Sequence, residues 1–256
     1  WAQIKRYSET LGIEFFSTIA FEDEIDFLIE LGCKSVKIAS ADINYVQLLK
    51  KAARSGLNIQ LDTGMSELNE IEQAIGVIEA EGNSNLLIHH CPSGYPAASE
   101  DINLSIIPTL VDRFAYPIAF SDHSPGADMD IAAVALGASM VEKTITLNRY
   151  TESVEHAMSL EPSELPGFVS RIRNLENAFG KPERLMTAED KKRRQKLRRS
   201  AFLTSDAVAG TPLENVELEF RRPEIGIAPD DFEKVRTKKL ATDLKAGASL
   251  NYNDIE

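Results

Sequence analysis

Cysteine is scarce. Cys33 and Cys91 are the only two in 256 residues, and they stand far apart, without metal-binding spacing. That argues against a disulfide framework and predicts a reducing, cytoplasmic setting. No run of 18 apolar residues occurs, so no membrane span is expected. No basic stretch leading into an apolar segment opens the chain, so no secretion signal is expected there either. Basic residues are in deficit: Lys and Arg number 28 against 40 Asp and Glu, a net charge of −12. That balance opposes general nucleic-acid binding, which needs cations to neutralise phosphates. The one local exception is KKRRQKLRR at residues 191–199, read as a solvated linker helix.

What is present is the content of an ordinary globular chain, 43% apolar and 27% charged. Apolar, β-branched runs recur at residues 13–18, 35–39, 58–62, 85–89, 117–120 and 140–144. Amphipathic stretches of helical period lie between them, at 22–31, 44–55, 68–80 and 130–136. Ser66 reads as the N-cap of the third. Gly32, Gly56, Gly82 and Gly137 sit where helices should stop. Strands that alternate with helices imply parallel βα units. Their starts are spaced about 20 to 30 residues apart, the pace of a (β/α)₈ TIM barrel. Six strands are counted, not eight, and residues 1–11 read as a helix. Two further βα units are therefore expected before Trp1.

Beyond a helix at 163–179 the texture changes. Short strands at 200–204 and 216–220 alternate with turns, and a weak internal repeat sets DAVAGTPL (206–213) against DLKAGASL (243–250). The expected organisation is a partial barrel over 1–182, a basic linker over 183–199 and a small β-rich domain over 200–256.

Polar residues gather where the buried strands stop. They are Thr18; Lys37 with Ser40 and Asp42; Asp62 and Thr63; His89, His90, Cys91 and Ser93; Ser121, Asp122 and His123; and Glu142. In a barrel such tips share one mouth. Lys37 inside an apolar strand needs an anion, either a substrate or the carboxylate of Asp62 or Glu142. Lys37, Thr18, Ser40 and Ser121 suit a phosphate. His123 with a carboxylate suits a divalent metal. His90 and Cys91 fit the core as well as a site. His89 is expected to face away from the site and to be structural, and Asp122 to cap the loop that follows it.

At these tips the chain resembles the sialic acid synthase family, the phosphoenolpyruvate-dependent nonulosonate synthases. The matching pieces are Phe16-Ser17-Thr18, Val36-Lys37-Ile38-Ala39-Ser40, Leu61-Asp62-Thr63-Gly64-Met65, His90-Cys91 with Tyr95-Pro96, Phe120-Ser121-Asp122-His123-Ser124, Val141-Glu142-Lys143 and Ser159-Leu160-Glu161-Pro162. Arg222-Pro223-Glu224-Ile225-Gly226-Ile227 matches the family's C-terminal domain, a small SAF fold like type III antifreeze protein. The resemblance implies a C–C bond-forming transferase. It would join phosphoenolpyruvate to the open-chain aldehyde of an N-acylated mannosamine-type sugar, with Mn²⁺ or Mg²⁺ assisting. It places Lys37, Thr18, Ser40 and Ser121 on phosphoenolpyruvate, with Asp62, Thr63, Ser93 and Tyr95 close by. It places Asp42 and Glu155 on the sugar, Glu142 on water or the sugar hydroxyls, and His123 on the metal. Arg222 would reach the other subunit's barrel in a domain-swapped homodimer.

Departures accompany the resemblance. The family's second metal histidine is replaced by Thr144, and His156 is the candidate replacement ligand. Asp62 stands for a serine, Ser93 for an asparagine and Asp42 for a glutamate. Two other readings remain: a Schiff-base aldolase using Lys37, and a degenerate, sugar-binding subunit of the same fold.

Overall fold

The computed structural model describes residues 1–256, which divide into two compact units, Trp1–Gly180 and Lys181–Glu256. In the first, helix α1 (Ala2–Thr10) precedes β1 (Thr18–Ile19), α2 (Asp23–Glu30), β2 (Ser35–Ile38), α3 (Val46–Arg54) and β3 (Asn58–Asp62). Then follow α4 (Leu68–Ala80), β4 (Leu86–His90), α5 (Ile106–Arg113), β5 (Ile118–Asp122), α6 (Asp128–Ala135), β6 (Met140–Lys143) and α7 (Leu165–Phe179). The six strands pair in chain order, all parallel, into one sheet with β1 and β6 at its edges. No helix is long and apolar enough to cross a membrane.

The two faces of this sheet differ in kind. Val36, Ile38, Ile59, Leu61, Leu86, Ile88, Ile118 and Phe120 are buried on one face, against Leu48 and Leu49 of α3, Ile71, Ile75 and Ile78 of α4, and Ile107 and Leu110 of α5. Each such side chain contributes about 1.5–3 kcal/mol by leaving water. Residues between them alternate to the other face, and that face is polar. Register carries it across the sheet: Thr18 pairs with Lys37, Lys37 with Gln60, Asp62 with His89, His89 with Ala119, and Ser121 with Glu142. Parallel strands are normally apolar on both sides, so a polar face with a buried lysine, aspartate and histidine marks a site.

Three details differ from the sequence reading. The first strand is only Thr18–Ile19, because an edge strand has a single neighbour to pair with and Ile13 stands 60% exposed. Helix α5 was not foreseen: Pro108 lies within its first turn, where a missing N–H is tolerated. The cap of α4 is Glu67 rather than Ser66, with Glu70 Oε2 accepting from the Glu67 N–H at 2.8 Å.

The second unit begins with α8 (Ala188–Leu197), which has no buried residue and carries the basic run on its exposed surface. Thr187 and Asp190 form its capping box. Antiparallel β7 (Ser200–Leu203) and β8 (Leu218–Arg221) follow, with α9 (Pro229–Val235) beyond them. A separate core gathers Ala201, Leu203, Leu213, Ile227, Leu240 and Leu250. The two repeat copies close each other. Asp243 Oδ1 accepts from the Ala209 N–H at 2.8 Å, and Asp206 Oδ1 accepts from the Ala246 N–H at 2.9 Å.

Candidate active site

Lys37 is the centre of the polar face. Its Nζ lies 2.5 and 2.6 Å from the two Glu142 oxygens and 3.0 Å from Asp62 Oδ2. The lysine side chain and Asp62 are each only 8% exposed. Burial works against the ammonium, yet the Asp62 and Glu142 carboxylates outweigh it and raise the lysine pKa. The two carboxylates diverge. Burial pushes Asp62 up to about 6 despite Lys37. Glu142, also opposed by burial, is held below its usual value by Lys37. The Ser121 hydroxyl donates to Glu142 Oε1 at 3.1 Å and is fully buried.

His89 completes the cluster, which corrects the expectation that it faces away. Its Nδ1 lies 3.7 Å from Asp62 Oδ1 and 3.8 Å from Glu142 Oε2. Its Nε2 lies 3.2 Å from Gln60 Oε1, so with that oxygen accepting, the ring proton sits on Nε2. Burial lowers the His89 pKa to about 4, which keeps the ring neutral. His90 takes the helix side instead, stacked on Phe120 and bonded to the Ile102 carbonyl at 2.6 Å. Two adjacent histidines alternate faces, and only register with Asp62 settles which one enters the site. Gln60 was missed altogether, although the alternation Ile59-Gln60-Leu61-Asp62 carried the signal.

The loops at the strand ends hold the remaining candidates. Ser40 Oγ accepts from the Gly64 N–H at 2.9 Å, and the Thr63 hydroxyl donates to the His89 carbonyl at 2.8 Å. Both hydroxyls therefore fasten neighbouring strand tips together. Gly64 is needed for that closeness, since a Cβ there would sit 2.6 Å from the Cys91 carbonyl oxygen and 2.8 Å from Ser40 Oγ. Gly64→Ala is expected to destabilise the protein by about 1–3 kcal/mol. Urea unfolding checks this, and an unchanged midpoint would count against the close packing.

His123 is buried, with Nδ1 3.1 Å from the Pro92 carbonyl and its ring stacked 4.4 Å from Tyr95. That bond occupies Nδ1, so Nε2 is the ring atom left for a ligand. His156 Nδ1 lies 2.6 Å from Thr146 Oγ1. Thr144 Oγ1 is buried without a hydrogen-bond partner. One set of three His or carboxylate donors converges within 4.8 Å, namely Asp62, His89 and Glu142. Neither His123 nor His156 belongs to it.

Asp122 does cap its loop, accepting from the Ser124 N–H at 2.8 Å. It also pairs with Lys143 on the helix side of the sheet. Ser93 and Glu155 are exposed, Asp42 is half-buried, and Thr18 is exposed beside Lys37. Thr63 and Ser93 line a cavity of about 380 Å³ between the loops after β3 and β4, which does not include Lys37 or Glu142. Arg222 lies in the second unit and is exposed.

Comparison with known proteins bears on this arrangement. A family model described as the NeuB family matches residues 1–184. The N,N'-diacetyllegionaminic acid synthase of Legionella pneumophila is 36% identical over 257 residues, covering 99% of this chain and 72% of that protein. The pseudaminic acid synthase of Helicobacter pylori is 29% identical over 255 residues, covering 100% and 75%. The crystal structure of an N-acetylneuraminic acid (sialic acid) synthetase from Leptospira borgpetersenii superposes with a TM-score of 0.70 at 33% identity, covering 75% of this chain and 67% of that one.

Proposed function

From the premise that the chain belongs to the NeuB family, the sialic acid synthases, we propose that it is a phosphoenolpyruvate-dependent synthase of a nonulosonic acid. Phosphoenolpyruvate condenses with the open-chain aldehyde of an N-acylated mannosamine-type sugar. C3 of the enol attacks the aldehyde carbon and forms the new C–C bond. Water adds at C2, and the tetrahedral intermediate expels inorganic phosphate by cleavage of the C2–O bond. The observation that carries this reading is the family match over residues 1–184. Lys37, the buried cation of the polar face, is paired with Asp62 and Glu142 in the structure and must leave them to meet the substrate.

Each residue has a part in that chemistry. Lys37 takes the phosphoenolpyruvate anion, with Thr18, Ser40 and Ser121 adding hydroxyl donors. Glu142, bonded to Lys37 and Ser121 at rest, orients the attacking water and receives its proton once Lys37 has turned to the substrate. Asp42 and Glu155 take the sugar hydroxyls, and Thr63, Ser93 and Tyr95 are assigned to the substrates. A divalent cation, Mn²⁺ or Mg²⁺, supplies when bound the Lewis acidity that draws electron density from the aldehyde. The side chains suited to hold it are His123 and His156, whose Nδ1 atoms are engaged by the Pro92 carbonyl and Thr146 Oγ1, leaving their Nε2 atoms for the cation. The second unit is assigned to the SAF domain, and Arg222 to the sugar's N-acyl group across a domain-swapped homodimer.

A Schiff-base aldolase needs a neutral lysine of lowered pKa, whereas the carboxylates around Lys37 raise it. Phosphate release from phosphoenolpyruvate, measured over a panel of N-acylated mannosamine-type sugars with and without Mn²⁺, tests the proposal. Release that requires one of these sugars is expected. Binding of phosphoenolpyruvate and sugars without release would instead favour the degenerate binding subunit.

A further inference from the structure

Among the atoms of the polar cluster, two have no counterpart. Asp62 Oδ1 and His89 Nδ1 are buried and make no hydrogen bond. With Nε2 bonded to Gln60, His89 Nδ1 carries a lone pair, and it points between two carboxylate oxygens at 3.7 and 3.8 Å. Three acceptors that face one another are mutually repulsive unless a cation or donor stands between them. Lys37 reaches Asp62 through Oδ2 and Glu142 through both oxygens, but it gives nothing to His89. Its single charge also faces two carboxylates.

We propose that Asp62, His89 and Glu142 form a divalent-cation site, distinct from His123, that Lys37 occupies at rest and vacates when its ammonium turns to an anionic substrate. The donor set is one imidazole and two carboxylates, which suits Mn²⁺, Fe²⁺ or Zn²⁺. Donors about 2.1 Å from a shared ion lie about 3.0–3.5 Å apart, so the 3.7 and 3.8 Å separations from His89 need to contract by about 0.2–0.8 Å, and the two carboxylates lie within 4.8 Å of each other. Gln60, held against Nε2, fixes the ring and its tautomer as an outer partner of a metal-bound histidine does. Withdrawal of Lys37 leaves two carboxylates without a counter-charge in a dry site, and a divalent ion restores the balance. Cation binding and anion binding are then coupled with positive sign.

This exchange rests on the phosphoenolpyruvate reading, and the test separates the two. Mn²⁺ binding is followed by the electron paramagnetic resonance of the free ion. The proteins are the wild type, Lys37→Met, and Lys37→Met combined with either His89→Gln or His123→Gln. Lys37→Met is expected to bind one Mn²⁺ about 10-fold or more tightly than the wild type. His89→Gln in that background should remove about 10-fold or more, and His123→Gln should leave the affinity as it was. Equal binding by Lys37→Met and wild type, or an affinity that follows His123 and not His89, overturns the site. Should Lys37→Met fail to fold, the wild type and His89→Gln are compared with and without phosphoenolpyruvate. The substrate should tighten Mn²⁺ binding only when His89 is present, and tightening that is equal in both proteins, or absent from both, overturns the site. Calorimetry of phosphoenolpyruvate both with and without Mn²⁺ completes the test. No binding in either condition removes the substrate reading, whereas binding without any His89-dependent Mn²⁺ site removes only the present inference.

Discussion

Replacing Lys37 with alanine is expected to lower kcat/KM for phosphoenolpyruvate by about 10³-fold or more, and to destabilise the fold by about 3 kcal/mol. The two losses have different causes. The kinetic loss is that of a buried cation aimed at an anion, where low surrounding polarity makes the interaction strong. The stability loss arises because Asp62 and Glu142, both drawn to Lys37, are left as like charges in a buried site. A second variant separates the causes. Lys37→Met with Glu142→Gln removes one charge of each sign, so much of the stability should return while activity stays lost. Urea unfolding and phosphate-release kinetics give both readouts. Activity within 10-fold of wild type in Lys37→Ala would remove Lys37 from the substrate.

A second large effect is expected in the pH dependence of stability, and it belongs to the other face of the sheet. Asp130, in the first turn of α6, is fully buried, and neither carboxyl oxygen makes a hydrogen bond. Lys143 Nζ stands 3.5 Å from it, while that ammonium is engaged by Asp122 and the Ser124 carbonyl. Burial first, and the Asp122 carboxylate second, push the Asp130 pKa to about 7, with Lys143 opposing. The unfolded chain has an ordinary carboxyl value of 3.8. Between those values the folded state holds a proton that the unfolded state has released. The stability gained from it is full at low pH and is lost as pH rises toward 7. The slope reaches about 1.4 kcal/mol per pH unit, or about 3 kcal/mol between pH 5 and 8. Asp130→Asn stays neutral throughout, so the variant should gain on the wild type by that amount as pH rises. Other groups titrate in both proteins and cancel in the difference. Parallel stability curves would place the proton elsewhere.

The alternation of strand and helix was legible because each strand has an apolar face that must meet a helix. Val36 and Ile38, Ile59 and Leu61, and Ile118 and Phe120 declare it directly. The tips were legible because lysine, aspartate and glutamate are out of place on such strands. What could not be read was register. His89 and His90 are equivalent in sequence, and the pairing of Asp62 with His89 comes from the sheet as a whole. Ser40 is a phosphate donor in the sequence reading because a hydroxyl suits a phosphate, and the resemblance sets Thr63 close by. In the fold each also serves the backbone of a neighbouring tip, a contact between segments 24 and 26 residues apart in the chain. His156 is the candidate replacement for the ligand lost at Thr144 because it lies on the loop beside Glu155, the expected sugar contact. Its hydrogen bond to Thr146 depends on the path of the 147–155 loop, which no local pattern encodes.

The reciprocal turns of the second unit have a kinetic consequence. Asp206 and Asp243 close turns that lie 40 and 34 residues away in sequence. Neither half therefore finishes its own turn, and neither offers a hairpin that is stable before the other arrives. Loop closure over such separations must precede the reward, which places this unit among slowly folding topologies for its length. It should gain its structure in one concerted step, and cutting the chain between the copies would cost both turns at once.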